Sequence, residues 1–188
     1  MAKSNDNVLT HGLSGKVGDL LVFRVVDGKT IVAKAPSKAN REPSEKQVKQ
    51  QERFEEAVIY GKTVMVTPEL KAQYETSVPE GKSVYQVALA DFLKAPNIKE
   101  VDVTGYTGEV GSIIRVRAID DFMVKSVQVS IFNSDGSVAD QGEAIRLANG
   151  VDWLFTAKTL NDDLAGDKIV VKASDLPGNI SDSSTSLS

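Results

Sequence analysis

The spacing of apolar positions changes three times along the chain. Residues 1–18 are polar, with glycines three apart in His11-Gly12-Leu13-Ser14-Gly15-Lys16-Val17-Gly18. Such a segment carries too little apolar surface to order itself, yet its glycines let the backbone approach a neighbour closely, so it reads as an arm. Two β-rich runs follow, Leu20–Val26 and Lys29–Lys34, separated by Asp27-Gly28. That combination predicts a β-hairpin, and because an isolated hairpin is marginal in water it must pair with further strands of its own or another chain. The residues alone leave both options open. Ala35–Pro43, with two prolines and little apolar character, reads as an extended linker.

Helical spacing then takes over. Ser44 and Gln47 form a capping-box pattern ahead of Val48, Phe54, Ala57, Val58, Gly61, Val64 and Met65, a narrow apolar stripe that Gly61 weakens. Thr67-Pro68 predicts a second start, with Thr67 as N-cap and a helix running to about Thr76. Ser83 and Gln86 repeat the capping box before Val84, Val87, Ala88, Phe92 and Ala95, and Pro96 ends the run. Three short helices with a thin core are expected.

Beyond Pro96 the period falls to two. Strands are expected at Ile98–Val103, Ile113–Ile119, Val124–Phe132, Val138–Leu147, Val151–Thr156 and Lys168–Ser174, with turn residues between them. Regularly spaced short strands predict a β-sandwich, with Trp153, the only tryptophan, in its core. The Ser-rich stretch 181–188 reads as a flexible tail. The expected fold class is therefore α+β in two parts: an arm, hairpin and short-helix assembly module over 1–96, and a sandwich over 97–180.

Composition narrows the chemistry more than it identifies it. The 188 residues include no Cys and one His, which removes disulfides, thiolate metal sites and cysteine nucleophiles together. Residues 1–96 hold 14 Lys/Arg against 12 Asp/Glu, and residues 97–188 hold 8 against 14. The densest basic stretch, Lys16–Arg53, sets nine cations among five acids, so no nucleic-acid-binding face is expected. No apolar run approaches the roughly 18 residues of a spanning helix, so a soluble chain without a membrane partner is expected. Met1–Asp6 lacks the apolar segment of a secretory signal, which predicts cytoplasmic synthesis and either retention there or incorporation into a particle such as a virion.

Candidate reactive groups each meet a simpler reading. His11 sits in a glycine-rich segment with no partner that spacing places beside it. Gly12, Gly15 and Gly18 lack both the GxxxxGK[ST] spacing and the preceding strand of a phosphate loop. Glu55/Glu56 and Asp162/Asp163 are adjacent acids, whereas glycoside hydrolysis needs carboxyls across a cleft. No catalytic residue, cofactor or metal is assigned, and no enzyme is expected. Asp120, Asp121, Asp175 and Asn179 could converge at one end of the sandwich as calcium ligands, but strand-end Asp and Asn more simply make turns. No aromatic cluster marks a glycan site, which leaves the sandwich loops as the place for one.

Ile113–Asp121, Gly150–Ala157 and the closing Ile169–Asn179, with Ala173, Asp175, Gly178 and Asn179 in an Ala-x-Asp-x-x-Gly-Asn pattern, resemble bacterial immunoglobulin-like domains. The resemblance covers about residues 97–180 and implies an immunoglobulin-like sandwich, a module used for stalks, decorations and adhesive tips. The first half, with its Gly-Lys-Val-Gly arm and Ser44-x-x-Gln47 helix start, is similar to small uncharacterised bacterial and phage-associated proteins. That similarity implies a component of a large particle and carries over no functional residues. The two together predict a non-enzymatic structural protein, a homo-oligomer or subunit of a larger assembly, that docks through Gly12, Leu13, Gly15, Val17, Leu21, Phe23 and Val25. A surface adhesin or carbohydrate-binding module built on the sandwich is the alternative.

Overall fold

A computed structural model of the chain describes residues 2–4, 10, 12–36 and 42–187. His11 and the middle of the 35–43 linker lie outside these residues, as do parts of the arm. Among the described residues the architecture is mixed α+β, with three antiparallel four-stranded sheets and three helices. The chain divides into two compact units, Met1–Glu45 and Lys46–Ser188.

The first unit is a sheet ordered β1-β4-β3-β2, from β1 (Ala2–Ser4), β2 (Gly15–Val17), β3 (Leu21–Val26) and β4 (Lys29–Lys34). Asp27 and Gly28 both have positive φ, 48° and 73°, the type I′ geometry whose twist matches the flanking strands. The hairpin pairs within its own chain: β2 lies along β3, with Gly15 opposite Phe23 and Val17 opposite Leu21, and β1 lies along β4. The arm's short strand thus takes its order from the hairpin, its polar sequence notwithstanding.

The second unit begins with α1 (Glu45–Val66), α2 (Pro68–Glu75) and α3 (Val84–Phe92). Ser83 and Gln86 make both reciprocal bonds of the expected capping box, and Pro68 opens α2. Thr67 stands at the N-cap of α2 without a side-chain capping bond. The stripe expected on α1 is buried only in part. Ala57, Gly61 and Val64 are buried, whereas Val48, Phe54 and Met65 are exposed. Residues 45–56 are exposed throughout, since α2 and α3 cover only the later turns. Gly61 is where the helices meet: a Cβ there would lie 2.8 Å from the Tyr85 ring on α3.

The remaining strands form a sandwich of two sheets, ordered β5-β6-β10-β9 and β12-β11-β7-β8. They are β5 (Asn97–Asp102), β6 (Ile113–Ile119), β7 (Val124–Phe132), β8 (Val138–Glu143), β9 (Ile145–Arg146), β10 (Asp152–Thr156), β11 (Lys168–Asp175) and β12 (Ile180–Ser186). Alternation decides the core. Ile114, Val116, Trp153 and Phe155 from one sheet meet Val127, Val129, Ile131, Ile169 and Val171 from the other. The single strand expected over 138–147 is two, because Ala144 turns inward and donates its amide to Val127, outside either strand.

The tail requires correction. Residues 180–186 are a strand paired residue for residue with β11, from Ser174↔Ile180 to Lys168↔Ser186. Backbone pairing to an otherwise open sheet edge orders a segment whose side chains give little sign of it. The compact units also divide at Glu45/Lys46, where the sequence pattern places the boundary near Pro96. The cause is the helical core, Val64, Tyr74 and Ala88, which packs with Phe122 and Leu176 from the sandwich.

Candidate functional site

Two places concentrate features that a stable core does not need. The first is the N-terminal sheet. Opposed residues of antiparallel strands project to the same face, so the register puts Gly15, Val17, Leu21, Phe23, Val25, Thr30 and Val32 together, with Lys34 opposite Leu21 at one end. Thr30 is buried, and its Oγ1 accepts the Gly12 amide at 3.1 Å, tying Gly12 and the adjoining Leu13 to that face. Leu13 is exposed. Among residues 12–36 only Thr30 and Ala35 are buried. Val17 is 57%, Leu21 40% and Val25 47% exposed, and Phe23 is half-buried. A sheet of this kind ordinarily has an apolar layer against it, and the described residues of its own unit supply none. Of the seven expected docking residues, Gly15, Val17, Leu21, Phe23 and Val25 therefore fall on one face of adjoining strands, and Gly12, with Leu13 next to it, is bonded to that face through Thr30.

The second place is the junction of α3 with the end of the sandwich. Asp91 on α3, Asp120 after β6 and Asp175 at the end of β11 each put a carboxylate oxygen within 4.8 Å of the other two. Asp91 is 1% exposed. Its Oδ2 accepts the Tyr74 hydroxyl at 2.5 Å, and the Tyr74 and Tyr60 hydroxyls lie 3.0 Å apart. Its Oδ1 and the Oδ2 of Asp120 are buried without a hydrogen-bond partner. Burial pushes the Asp91 carboxyl up to about 7; the Tyr74 bond opposes this, and the Asp120 and Asp175 charges add to it. Burial likewise raises the Tyr74 hydroxyl and, to a lesser degree, Asp175.

Asp175 is the best-held member. Its Oδ1 accepts the amides of Gly178 (2.9 Å) and Asn179 (2.6 Å), and its Oδ2 accepts Asn179 Nδ2 at 2.7 Å. The same Nδ2 reaches the carbonyls of Phe92 and Lys94, both at 3.1 Å, and of Asp91 at 3.4 Å. The Asp-x-x-Gly-Asn pattern thus builds a turn that caps the end of α3, taking up carbonyls a helix end leaves free. Of the four residues considered as calcium ligands, Asp120 and Asp175 converge. Asn179 supports Asp175, and Asp121 pairs instead with Lys94.

Asp91 is absent from the sequence-based set, although the signal for it is present. In Val84, Ala88 and Asp91 the helical spacing puts a carboxylate on the apolar stripe, and a buried acid on such a stripe asks for a partner. The aromatic group beside it, Tyr60, Tyr74, Phe92 and Phe122, is also undetectable in sequence, because its members come from α1, α2, α3 and the loop after β6. Glu55/Glu56 and Asp162/Asp163 are exposed, and no described helix is long and apolar enough to cross a membrane.

No family model and no curated protein matches this chain. Among solved structures, CopC from Methylosinus trichosporium OB3b is similar at 15% identity and a TM-score of 0.35, over 47% of this chain and 87% of CopC. An engineered protein is similar at 16% identity and a TM-score of 0.35, over 54% of this chain and 26% of its own. Likenesses this distant carry no argument about what the chain does.

Proposed function

We propose that the protein is a non-enzymatic assembly subunit that docks to copies of itself or to other subunits through its N-terminal sheet and displays an immunoglobulin-like sandwich. One observation carries the docking reading: Val17, Leu21 and Val25 are exposed on the face they share with Phe23, in a sheet that buries only Thr30 and Ala35 among residues 12–36. Contiguous apolar surface of this kind marks contact sites, and its burial contributes roughly 25 cal/mol per Å² before ordering costs. Since β2 already occupies the edge of β3, strand addition between subunits falls to the outer edge of β2, beside the apolar face.

The strand orders support the immunoglobulin-like reading. Taking β5 to β12 as strands A, B, C, C′, D, E, F and G gives sheets A-B-E-D and G-F-C-C′, the arrangement of that fold. Trp153 lies on the E position and the chain has no Cys, so the core is not that of an antibody domain. The likeness of the arm to phage-associated proteins makes a virion or similar particle the proposed setting.

The test is the mass of the native full-length chain by light scattering. Phe23→Asp, and Val25→Lys at a more exposed neighbouring position, are expected to reduce an oligomer or a captured assembly to the 20.2 kDa single copy. A wild-type chain that stays at 20.2 kDa at high concentration and enters no assembly overturns the proposal.

A further inference from the structure

The carboxylates between α3 and the sandwich go unused in assembly, and their arrangement asks for a ligand. We propose that Asp91, Asp120 and Asp175 bind a divalent hard cation of calcium size, which fastens α3 to the end of the sandwich.

The geometry carries this. Ligand oxygens on opposite sides of calcium stand roughly 4.6–5.2 Å apart, and one carboxylate oxygen from each of the three residues lies within 4.8 Å of the other two. The donors are all oxygen, as a hard cation prefers. Asp91 Oδ1 and Asp120 Oδ2 are buried and unpartnered, an arrangement that costs free energy unless something pairs with them. Asp120 lies within hydrogen-bonding reach of Asp91, so the facing oxygens are satisfied either by a shared proton or by a bound cation that replaces it. Among the described residues no Lys or Arg pairs with any of the three, and the nearby Lys94 is engaged by Asp121.

The supporting bonds are those a metal site needs. Tyr74 orients Asp91 through Oδ2 and leaves Oδ1 free, while the Gly178 and Asn179 amides and the Asn179 side chain fix Asp175. A cleft of about 180 Å³, bordered by Ser77, Lys82, Asp91, Asp121 and Phe122, adjoins the cluster, and waters from it would complete the six to eight ligands calcium takes.

The test uses the full-length chain stripped of metal by a chelator. Calcium is expected to raise its melting temperature by several degrees, in proportion to the logarithm of its concentration once above the dissociation constant. Terbium, a calcium-sized luminescent probe, is expected to emit on tyrosine excitation, since Tyr74 touches a ligand, and calcium should displace it. Asp120→Asn should weaken both effects by at least about tenfold, the scale on which even supporting residues act. Asp91→Asn keeps an acceptor for Tyr74 and should do the same, whereas Asp121→Asn should change neither. No melting shift and no sensitised emission at millimolar metal overturns the proposal. So does an Asp121→Asn loss as large as that of Asp120→Asn, which means adsorption to exposed acids, or a response to magnesium alone.

Discussion

Two aspartates, both almost wholly buried, show how neighbours set a residue's state. Asp152 accepts Arg117 Nε and Nη2 at 2.8 and 3.1 Å and Asn149 Nδ2 at 2.8 Å, and these bonds, Arg117 first, hold its carboxyl down to about 2. Asp91 has one hydroxyl and two other carboxylates, and burial drives it the other way. Gly108 illustrates a purely steric constraint. Its φ is +82°, and a Cβ would stand 2.2 Å from the carbonyl oxygen of Asn161, whose amide donates to the Gly108 carbonyl at 2.8 Å. Backbone cannot swing aside as a side chain can, so Gly108→Ala combines positive-φ strain with overpacking. It is expected to lower stability by about 2–4 kcal/mol, read as a shifted midpoint in urea at unchanged slope. A loss below about 0.5 kcal/mol, the range of ordinary surface changes, contradicts this account.

Elements whose cause is local were legible in the sequence. The Asp27-Gly28 turn, the Ser83/Gln86 cap and the bounds of β6 and β7 follow from residues next to one another, and alternation gives the sandwich its core. Elements whose cause is distant were not. The half-buried positions of β12 include Ser181, Ser183 and Thr185, so its alternation is one of exposure without hydrophobicity, and it is a strand because β11 offers an edge. The front of α1 shows the converse, apolar spacing at Val48 and Phe54 that the described residues leave uncovered. Asp175 and Asn179 were legible as a motif, but not that the motif would close the end of a helix more than eighty residues earlier in the chain. Their role at that junction is measurable. Asn179→Ala removes the donor to the Phe92 and Lys94 carbonyls and to Asp175, and should cost about 1–3 kcal/mol. Hydrogen exchange should quicken first in α3, and equal protection of α3 in the variant and the wild type would assign its stability to Val64, Tyr74 and Ala88 alone.

At the scale of the whole molecule, two ways of dividing the chain make different demands. A cut before Asn97, where the hydrophobic period changes, takes α3 from Asn179 and Tyr74 from Phe122, whose rings lie 4.4 Å apart. It leaves Phe122 and Leu176 without the helical core they pack against. A cut after Glu45 preserves every one of these contacts, because the helices and the sandwich form one compact unit. A fragment of residues 46–188 is therefore expected to unfold in one cooperative transition. A fragment of residues 97–188 should be less stable by about 2–4 kcal/mol, the scale of uncovering a Phe and a Leu. Matching transitions for the two fragments would make the helices an independent appendage. The shorter cut also separates the two proposals: residues 46–188 lack the sheet bearing Phe23 and Val25 but retain Asp91, Asp120 and Asp175. That fragment should run as a single copy in light scattering while still gaining stability from calcium, so that loss of assembly and retention of metal binding are read from one protein.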